Sequence, residues 1–259
     1  MGLAVLAGLC FPTAGLSWSE AGHRVVALIA QQHLTPMTLR RFHILAGKKA
    51  TLADLAAWAD TIADERPETK PWHYINIPPK AASLDLHRDC PDDNCLPVQL
   101  RRSIGIVRLG MRAEKEREDA LRLLIHLAGD LHQPLHAGYR RDHSGNDIPI
   151  VFRGQQSTLH SFWDGDLLAT MIDDEAAYTK RLNQRISARQ ERDWSRDYLG
   201  TWVWDTHRLA VETVYAGLPT GSPKKLDDAY ISEARALIEE QLAKAGIRLA
   251  EILNRMWAY

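Results

Sequence analysis

The chain has 259 residues, three cysteines and a formal net charge of −1. This length fits one large domain or two small ones. A net charge so close to zero excludes a broad basic surface that binds nucleic acid electrostatically. Any recognition of phosphate must therefore come from a local site.

The first seventeen residues are mostly apolar and end in small residues, with Gly15 and Ser17 where a signal peptidase would cut. This pattern predicts a secretory signal peptide over residues 1–17, followed by a mature domain from Trp18 to Tyr259. A basic start is missing, so a buried first helix is the alternative. The apolar run is shorter than the roughly twenty residues that span a bilayer, and we expect no stable membrane association.

Periodic apolar positions and capping residues predict helices through most of the mature chain. Thr51 and Ser157 are expected to cap two of them, and Thr35 precedes a proline at a first helical position. The fold class is therefore predicted to be all-α, in one compact multi-helix domain. The predicted helices span residues 20–34, 36–46, 52–65, 97–112, 116–133, 158–171, 174–190, 194–216 and 226–257.

Two predicted stretches lack helical periodicity. Residues 66–96 are rich in Pro, Asp and Lys, and they predict a long irregular loop with a brief extended piece from His73 to Ile77. Residues 140–156 predict a polar turn and then a β-prone run, which together favour a small hairpin. Long loops of this kind often carry function.

Cysteine usage points to an oxidising compartment. Cys10 lies in the predicted signal, which leaves Cys90 and Cys95 on either side of a short Asp- and Asn-rich segment. We expect these two to form a disulfide in a secreted or periplasmic protein. A pair of reduced surface thiols is the alternative.

Histidines and aspartates cluster in the second half of the chain. A helix places His126 and Asp130 on one face, and Pro134 ends that helix and turns His136 back toward them. A second pair, His160 and Asp164, follows at the same spacing. One such pair alone is typical of a surface salt bridge, but the whole cluster favours a bound metal, because neutral imidazole and carboxylate are zinc ligands.

Six short motifs in order resemble the secreted zinc-dependent single-strand nucleases, or bifunctional nucleases, of fungi, plants and bacteria. That family shares a superfamily with bacterial zinc phospholipase C, and the resemblance covers essentially the whole predicted mature chain. The motifs are Trp18 with Gly22-His23, Trp58-Ala59-Asp60, Trp72-His73-Tyr74, His126-x-x-Gly129-Asp130-x-x-Gln133-Pro134-Leu135-His136, Gly145-Asn146, and Leu159-His160-x-x-Trp163-Asp164.

The resemblance implies three zinc ions at the bottom of a cleft between helices. Asp130 would bridge two of them, and the terminal amine and carbonyl of Trp18 would serve as ligands once the signal is removed. Removal of the signal would then activate the enzyme. The implied ligand sets are Asp60, His73, His126 and Asp130 for the first zinc, Trp18, His23 and Asp130 for the second, and His136, His160 and Asp164 for the third.

The resemblance also implies the activity, which is hydrolysis of single-stranded DNA and RNA to 5′-phosphorylated products. Phosphate removal from 3′-nucleotides is a second expected activity. The expected oligomeric state is a monomer. Asp60 would be catalytic, because it could orient the attacking water and take its proton. Tyr74 would stack on a base without reading its edge. Asn76 and the Gly145-Asn146 turn would line the base pocket.

Some positions depart from the family pattern and keep alternatives open. Ala63 stands where many relatives carry arginine, with Arg66 as a candidate replacement, and Asn76 stands where they carry Asp. A catalytically impaired zinc-binding protein is one alternative, for which Ala63 is the hint. Phospholipase C activity is another, although those enzymes carry Glu where this chain has Asp164. The sequence contains no His-Glu-x-x-His motif, which is typical of metalloproteases, so protease activity is not favoured.

Overall fold

The computed structural model of the chain describes residues 17–258. The predicted signal peptide lies outside these residues, except for its last position, Ser17. Helices dominate the described residues, which confirms the predicted all-α class. Cys90 and Cys95 form the predicted disulfide, and their Cα atoms are 5.5 Å apart.

The helices follow one another closely along the chain. The α-helices are α1 (Glu20–Gln32), α2 (Pro36–Ala46), α3 (Leu52–Leu55), α4 (Trp58–Glu65), α5 (Leu86–Asp89), α6 (Leu96–Leu109), α7 (Glu114–Asp130), α8 (Leu159–Ser161), α9 (Glu175–Arg185), α10 (Ala188–Trp194), α11 (Leu199–Leu209) and α12 (Asp228–Met256). Short 3₁₀ helices span Pro67–His73, Pro91–Asp93, Pro134–Ala137, Arg140–Gly145 and Leu168–Thr170, and π segments span Phe162–Asp166 and Ala210–Tyr215.

Helix α1 lies at the centre of the core, where it packs against α3, α7, α9 and α12. Its inner face buries Val25, Val26 and Ile29 completely or nearly so. Gly246 permits the close approach of α12, because a Cβ there would lie 2.5 Å from Cγ2 of Ile29. The N-terminal half of α1, which carries His23, is therefore held on a rigid frame.

Helix α7 runs from solvent into the interior. Its first turn is exposed and acidic, whereas its last residues, from Leu124 to Asp130, are buried. As predicted, the helix stops before Pro134, which begins the 3₁₀ helix that carries His136. Helix α7 thus places His126 and Asp130 in the core, and the chain changes direction after the helix ends.

A small sheet lies at one side of the helices. Strands β1 (Pro149–Phe152) and β2 (Gln155–Thr158) pair in antiparallel fashion, which confirms the predicted hairpin. A third strand, β3 (Lys224–Lys225), pairs parallel to β1. Its two residues are too few to show any periodicity, so the sequence did not predict it.

Several predicted boundaries are wrong for local physical reasons. The predicted helix 52–65 is interrupted between α3 and α4, which frees the carbonyl of Ala56 to accept a hydrogen bond from His126 Nδ1 at 2.7 Å. The predicted helix 174–190 ends at Arg185, because Ser187 starts α10 with a capping box. The predicted cap Ser157 instead donates to Asp166, and Thr158 caps α8.

Two longer stretches also differ from the prediction. Residues 66–96 are not irregular throughout, since they contain α5 and two 3₁₀ helices, and His73 ends the first of these. The extended backbone begins only at Tyr74. The predicted helix 194–216 starts at Leu199 and ends in a π segment, Ala210–Tyr215.

Candidate metal centre

The predicted ligand side chains come together inside the molecule. They are contributed by α1, α4, the 3₁₀ helix before Tyr74, the end of α7, the 3₁₀ helix after Pro134, and the segment from α8 to Asp164. All are buried except Asp60, whose side chain is 34% exposed. A buried cluster of this kind costs free energy unless something pairs with its charges.

Four of these side chains point at one small volume. The Oδ2 of Asp130 lies 3.0 Å from His73 Nδ1 and 3.2 Å from His126 Nε2, and the two nitrogens are 3.1 Å apart. Asp60 Oδ1 lies 3.5 Å from the same nitrogen of His126 and 3.8 Å from that of His73. Tetrahedral zinc at about 2.0–2.1 Å from each ligand requires ligand atoms about 3.3 Å apart, so this spacing suits the ion.

Asp130 faces two groups at once. Its Oδ1 lies 3.4 Å from His23 Nε2 and also 3.4 Å from His136 Nδ1, on the side away from His73. The ring of His23 stacks on that of His126 with centroids 3.8 Å apart. The carboxylate therefore stands between two clusters of nitrogen atoms, as a bridging ligand would.

A third group lies beside these two. Nε2 of His160 is 3.0 Å from Asp164 Oδ2, and Nε2 of His136 is 3.5 Å from Asp164 Oδ1. Gln133 donates its amide to Oδ1 of Asp164 at 2.5 Å and accepts the amide N–H of Leu135 through its own oxygen. No role was predicted for Gln133, although it lies between Asp130 and His136 in the same motif.

Backbone carbonyls set the orientation of two imidazoles. His126 donates Nδ1–H to Ala56, and His160 donates Nδ1–H to Ser144, each at 2.7 Å. A carbonyl oxygen only accepts, so in the neutral form of each ring the hydrogen is on Nδ1 and the lone pair is on Nε2. Both rings therefore present a ligating nitrogen to the cluster, as outer partners of metal ligands commonly ensure.

The donor atoms fit divalent cations. Buried side-chain atoms without a hydrogen-bond partner among residues 17–258 include both ring nitrogens of His23 and of His136, Oδ1 of Asp60 and Asp130, and Oδ2 of Asp164. Burial lowers the pKa of His126, but the charges of Asp130 and Asp60 outweigh it and raise that pKa to about 9. The cluster thus stabilises positive charge, and the described residues contain three His/Asp groups able to hold metal.

The backbone around Trp18 enters the same site. Trp18 is fully buried and donates its indole N–H to the carbonyl of Gly129 at 3.1 Å. The preceding hydroxyl, of Ser17, donates to Asp60 Oδ2 at 2.6 Å and lies 3.2 Å from the carbonyl oxygen of Trp18. The carbonyl of Trp18 therefore lies close to the cluster, and the residue before it occupies space there. No sequence pattern predicted this contact of Ser17.

A cavity of about 630 Å³ opens next to His160. Tyr74, Asn76 and Asn146 line it, and their base-binding role stays a prediction; Gly145 does not line it, and a Cβ there would lie 3.3 Å from Leu159. Several other lining residues were not predicted, because only the fold brings these loop positions together. They include Asp92, Asn94, Arg140 and His143.

Ala63, one of the two positions that depart from the family pattern, is buried. Ala63 lies on α4 and has no exposed surface. Arg66, the candidate replacement, ion-pairs with Glu68 at 3.1 Å, and its guanidinium carbon lies 6.0 Å from the centre of the Trp72 ring. Its guanidinium group therefore faces these two side chains of the 3₁₀ helix that follows α4.

A substitution at Gly129 tests how tightly the centre is packed. A Cβ there would lie 2.7 Å from His23 Nδ1, so Gly129→Ala should push this imidazole out of place and destabilise the fold by about 1–3 kcal/mol. Zinc per chain, by elemental analysis, and the thermal midpoint should both fall. Gly105→Ala on α6 is the matched control, since its Cβ would meet nothing within 4 Å. Equal behaviour of the two variants would contradict the close packing.

The chain is similar in sequence to known nucleases. Residues 18–258 match the family model described as S1/P1 Nuclease. The chain is 30% identical to Nuclease S1 of Aspergillus oryzae (strain ATCC 42149 / RIB 40), over 92% of this chain and 91% of that protein. It is 27% identical to Endonuclease 2 of Arabidopsis thaliana (93% and 90% covered) and 28% identical to Nuclease P1 of Penicillium citrinum (92% and 97% covered). The chain therefore belongs to the S1/P1 nuclease family.

Proposed function

We propose that this protein is a secreted, zinc-dependent endonuclease that cleaves single-stranded DNA and RNA to 5′-phosphorylated products and also dephosphorylates 3′-nucleotides. The observation that carries the proposal is the convergence of three His/Asp groups beside a cavity with an aromatic wall. Family membership over residues 18–258 supports the same activity.

The proposed ligand sets are those that the family resemblance implies, and their side chains all belong to the buried cluster. Zinc bound there would act as a Lewis acid, lower the pKa of water and neutralise charge on the phosphate. Carboxylates and backbone carbonyls of this chain hold the imidazoles in position before any metal binds. The sets are Asp60, His73, His126 and Asp130; Trp18, His23 and Asp130; and His136, His160 and Asp164.

Asp60 is the best placed of the carboxylates to handle a proton. Its side chain is 34% exposed, whereas those of Asp130 and Asp164 are 0% and 5% exposed. One oxygen faces His126, and the other is held by the hydroxyl of Ser17. Once the chain is cut before Trp18, that second oxygen can orient a water molecule and accept its proton.

The cavity residues would bind the base next to the scissile phosphate. The half-buried ring of Tyr74 offers a stacking surface that suits any base. Asn146 donates its amide to the carbonyl of His143, while its own side-chain oxygen is buried without a partner among residues 17–258. Asn76, which also lines the cavity, offers both a donor and an acceptor to the edge of a base.

Secretion is part of the proposal. The family match begins at residue 18, where the predicted signal ends, and the disulfide of Cys90 and Cys95 suits an oxidising compartment. Among residues 17–258, no helix is both long and apolar enough to cross a bilayer. We expect the processed protein to act as a monomer.

Chelation followed by zinc readdition tests the proposal. The chain beginning at Trp18 should hydrolyse single-stranded oligonucleotides faster than duplex DNA, lose this activity on chelation and regain it with zinc. Its thermal midpoint should also fall on chelation, because loss of a tight ligand removes roughly 4 kcal/mol at a thousandfold excess over Kd. Turnover of phosphatidylcholine alone would indicate a phospholipase, and full zinc without hydrolysis of any phosphodiester would indicate an impaired enzyme.

A further inference from the structure

A second cavity of about 330 Å³ adjoins the cavity beside the metal centre. Asn76, Asp89, Pro91 and Arg140 line both, so the two spaces share one wall. Arg88 and Arg141 line the second cavity but not the first, whereas His160 lines only the first. A strand bound in the first cavity would therefore have the second cavity next to it.

The second cavity carries surplus positive charge. Arg88 donates two hydrogen bonds to Asp89, at 2.6 Å and 2.8 Å, so these charges offset each other. Arg140 and Arg141 are exposed, and neither forms an ion pair with any residue from 17 to 258. In a chain whose net charge is −1, two adjacent guanidinium groups without carboxylate partners mark a local site for anions.

The backbone that carries these arginines is firmly held. Tyr139 is buried and stacks on Tyr215 with ring centroids 4.1 Å apart, and the guanidinium carbon of Arg141 lies 5.6 Å from the centre of the Tyr139 ring. The carbonyl of Gly138 accepts the N–H of Ile77 at 3.1 Å, which joins this segment to the wall that carries Asn76. The backbone of Arg140 and Arg141 is therefore fixed before a ligand binds, which limits the conformational entropy lost on binding.

We propose that Arg140 and Arg141 form a phosphate subsite for the backbone of a single strand, one or more nucleotides beyond the base held at Tyr74. This inference rests on the proposed nuclease function and adds to it a preference for strands over short substrates. Guanidinium groups suit the task, because their planar donors match phosphate oxygens in pairs. Arg140, at the junction of the two cavities, would contact the phosphate nearer the metal centre.

The double variant R140A/R141A tests the subsite. We expect the ratio of kcat/KM on an oligonucleotide of about twelve nucleotides to kcat/KM on a dinucleotide to fall roughly tenfold, since the dinucleotide can reach at most Arg140, whereas the longer strand reaches both arginines. Fluorescence anisotropy with a phosphorothioate oligonucleotide, which resists hydrolysis, should show weaker binding. The slope of log Kd against log salt concentration should decrease by about 1.4, or about 0.7 for each lost contact.

Control variants separate this effect from general loss of charge. R101A/R102A removes another exposed pair of adjacent arginines, on α6, and should leave the substrate ratio and the salt slope unchanged. R140K/R141K should keep most of the salt slope. Equal losses on both substrates, or an unchanged salt slope with an unchanged thermal midpoint, would overturn the subsite. Failure of the nuclease proposal would instead appear as no turnover by the unmodified protein, while the binding measurement still tests the subsite.

Discussion

Asp130→Asn is expected to remove two metal ions together and to lower kcat by more than about a thousandfold. Both carboxylate oxygens of Asp130 face imidazole nitrogens, one oxygen toward His73 and His126 and the other toward His23. Asn keeps the shape of the side chain but replaces one oxygen by an NH₂ group. The NH₂ group cannot ligate a cation, so at least one of the two metal sites loses a ligand atom. Both sites also lose the negative charge of the carboxylate.

Elemental analysis of the purified variant should show zinc falling from about three ions per chain to about one, which would remain with the group of His160. Asp166→Asn is the matched control, because Asp166 is half-buried near the centre and accepts a hydrogen bond from Ser157 but belongs to no ligand set. It should retain all its zinc. An Asp130→Asn protein with full zinc and full activity would contradict the bridging role.

Retention of one residue before Trp18 is expected to lower turnover by about a hundredfold while changing the thermal midpoint little. A nitrogen inside a peptide bond has no lone pair to offer a metal, so one ligand of the second set is lost. The Ser17 hydroxyl also donates to Oδ2 of Asp60, the oxygen proposed to take a proton. Two separate effects therefore act in the unprocessed chain.

Chains that begin at Trp18, at Ser17, and at a glycine in place of Ser17 separate the two effects. Turnover and zinc content should be low in both extended forms if the terminal amine is a ligand. If the hydroxyl alone blocks Asp60, the glycine form should regain activity. Unchanged turnover in the Ser17 form would rule out both contributions.

Local parts of the site could be predicted because local geometry governs them. The four-residue spacing of His126 and Asp130 on a helix, and the stop imposed by Pro134, require no knowledge of distant residues. The same holds for the pairing of Cys90 with Cys95, which are only five positions apart. The division of the ligands among three ions came from the resemblance, and it stays a prediction.

The contacts that orient the site could not be predicted, because they join distant segments. The hydrogen bond from His126 to Ala56 spans 70 positions, and it exploits a break in a stretch that contains no proline or glycine. Alanines at 56 and 57 favour a helix, so a tertiary contact overrides their local preference. Arg140 and Arg141 likewise appear as ordinary turn charges until the fold places them beside Asn76.

The arrangement of the ligands along the chain has a consequence for folding. The disulfide joins two cysteines that are five positions apart, so it restrains the unfolded chain only locally. His73 and Asp130, by contrast, are 57 residues apart, and His23 lies farther still from that carboxylate. Ions that tie such segments together would serve as long-range cross-links, and loop-closure entropy makes links of this length the more stabilising kind. Zinc release and global melting should therefore occur as one cooperative transition.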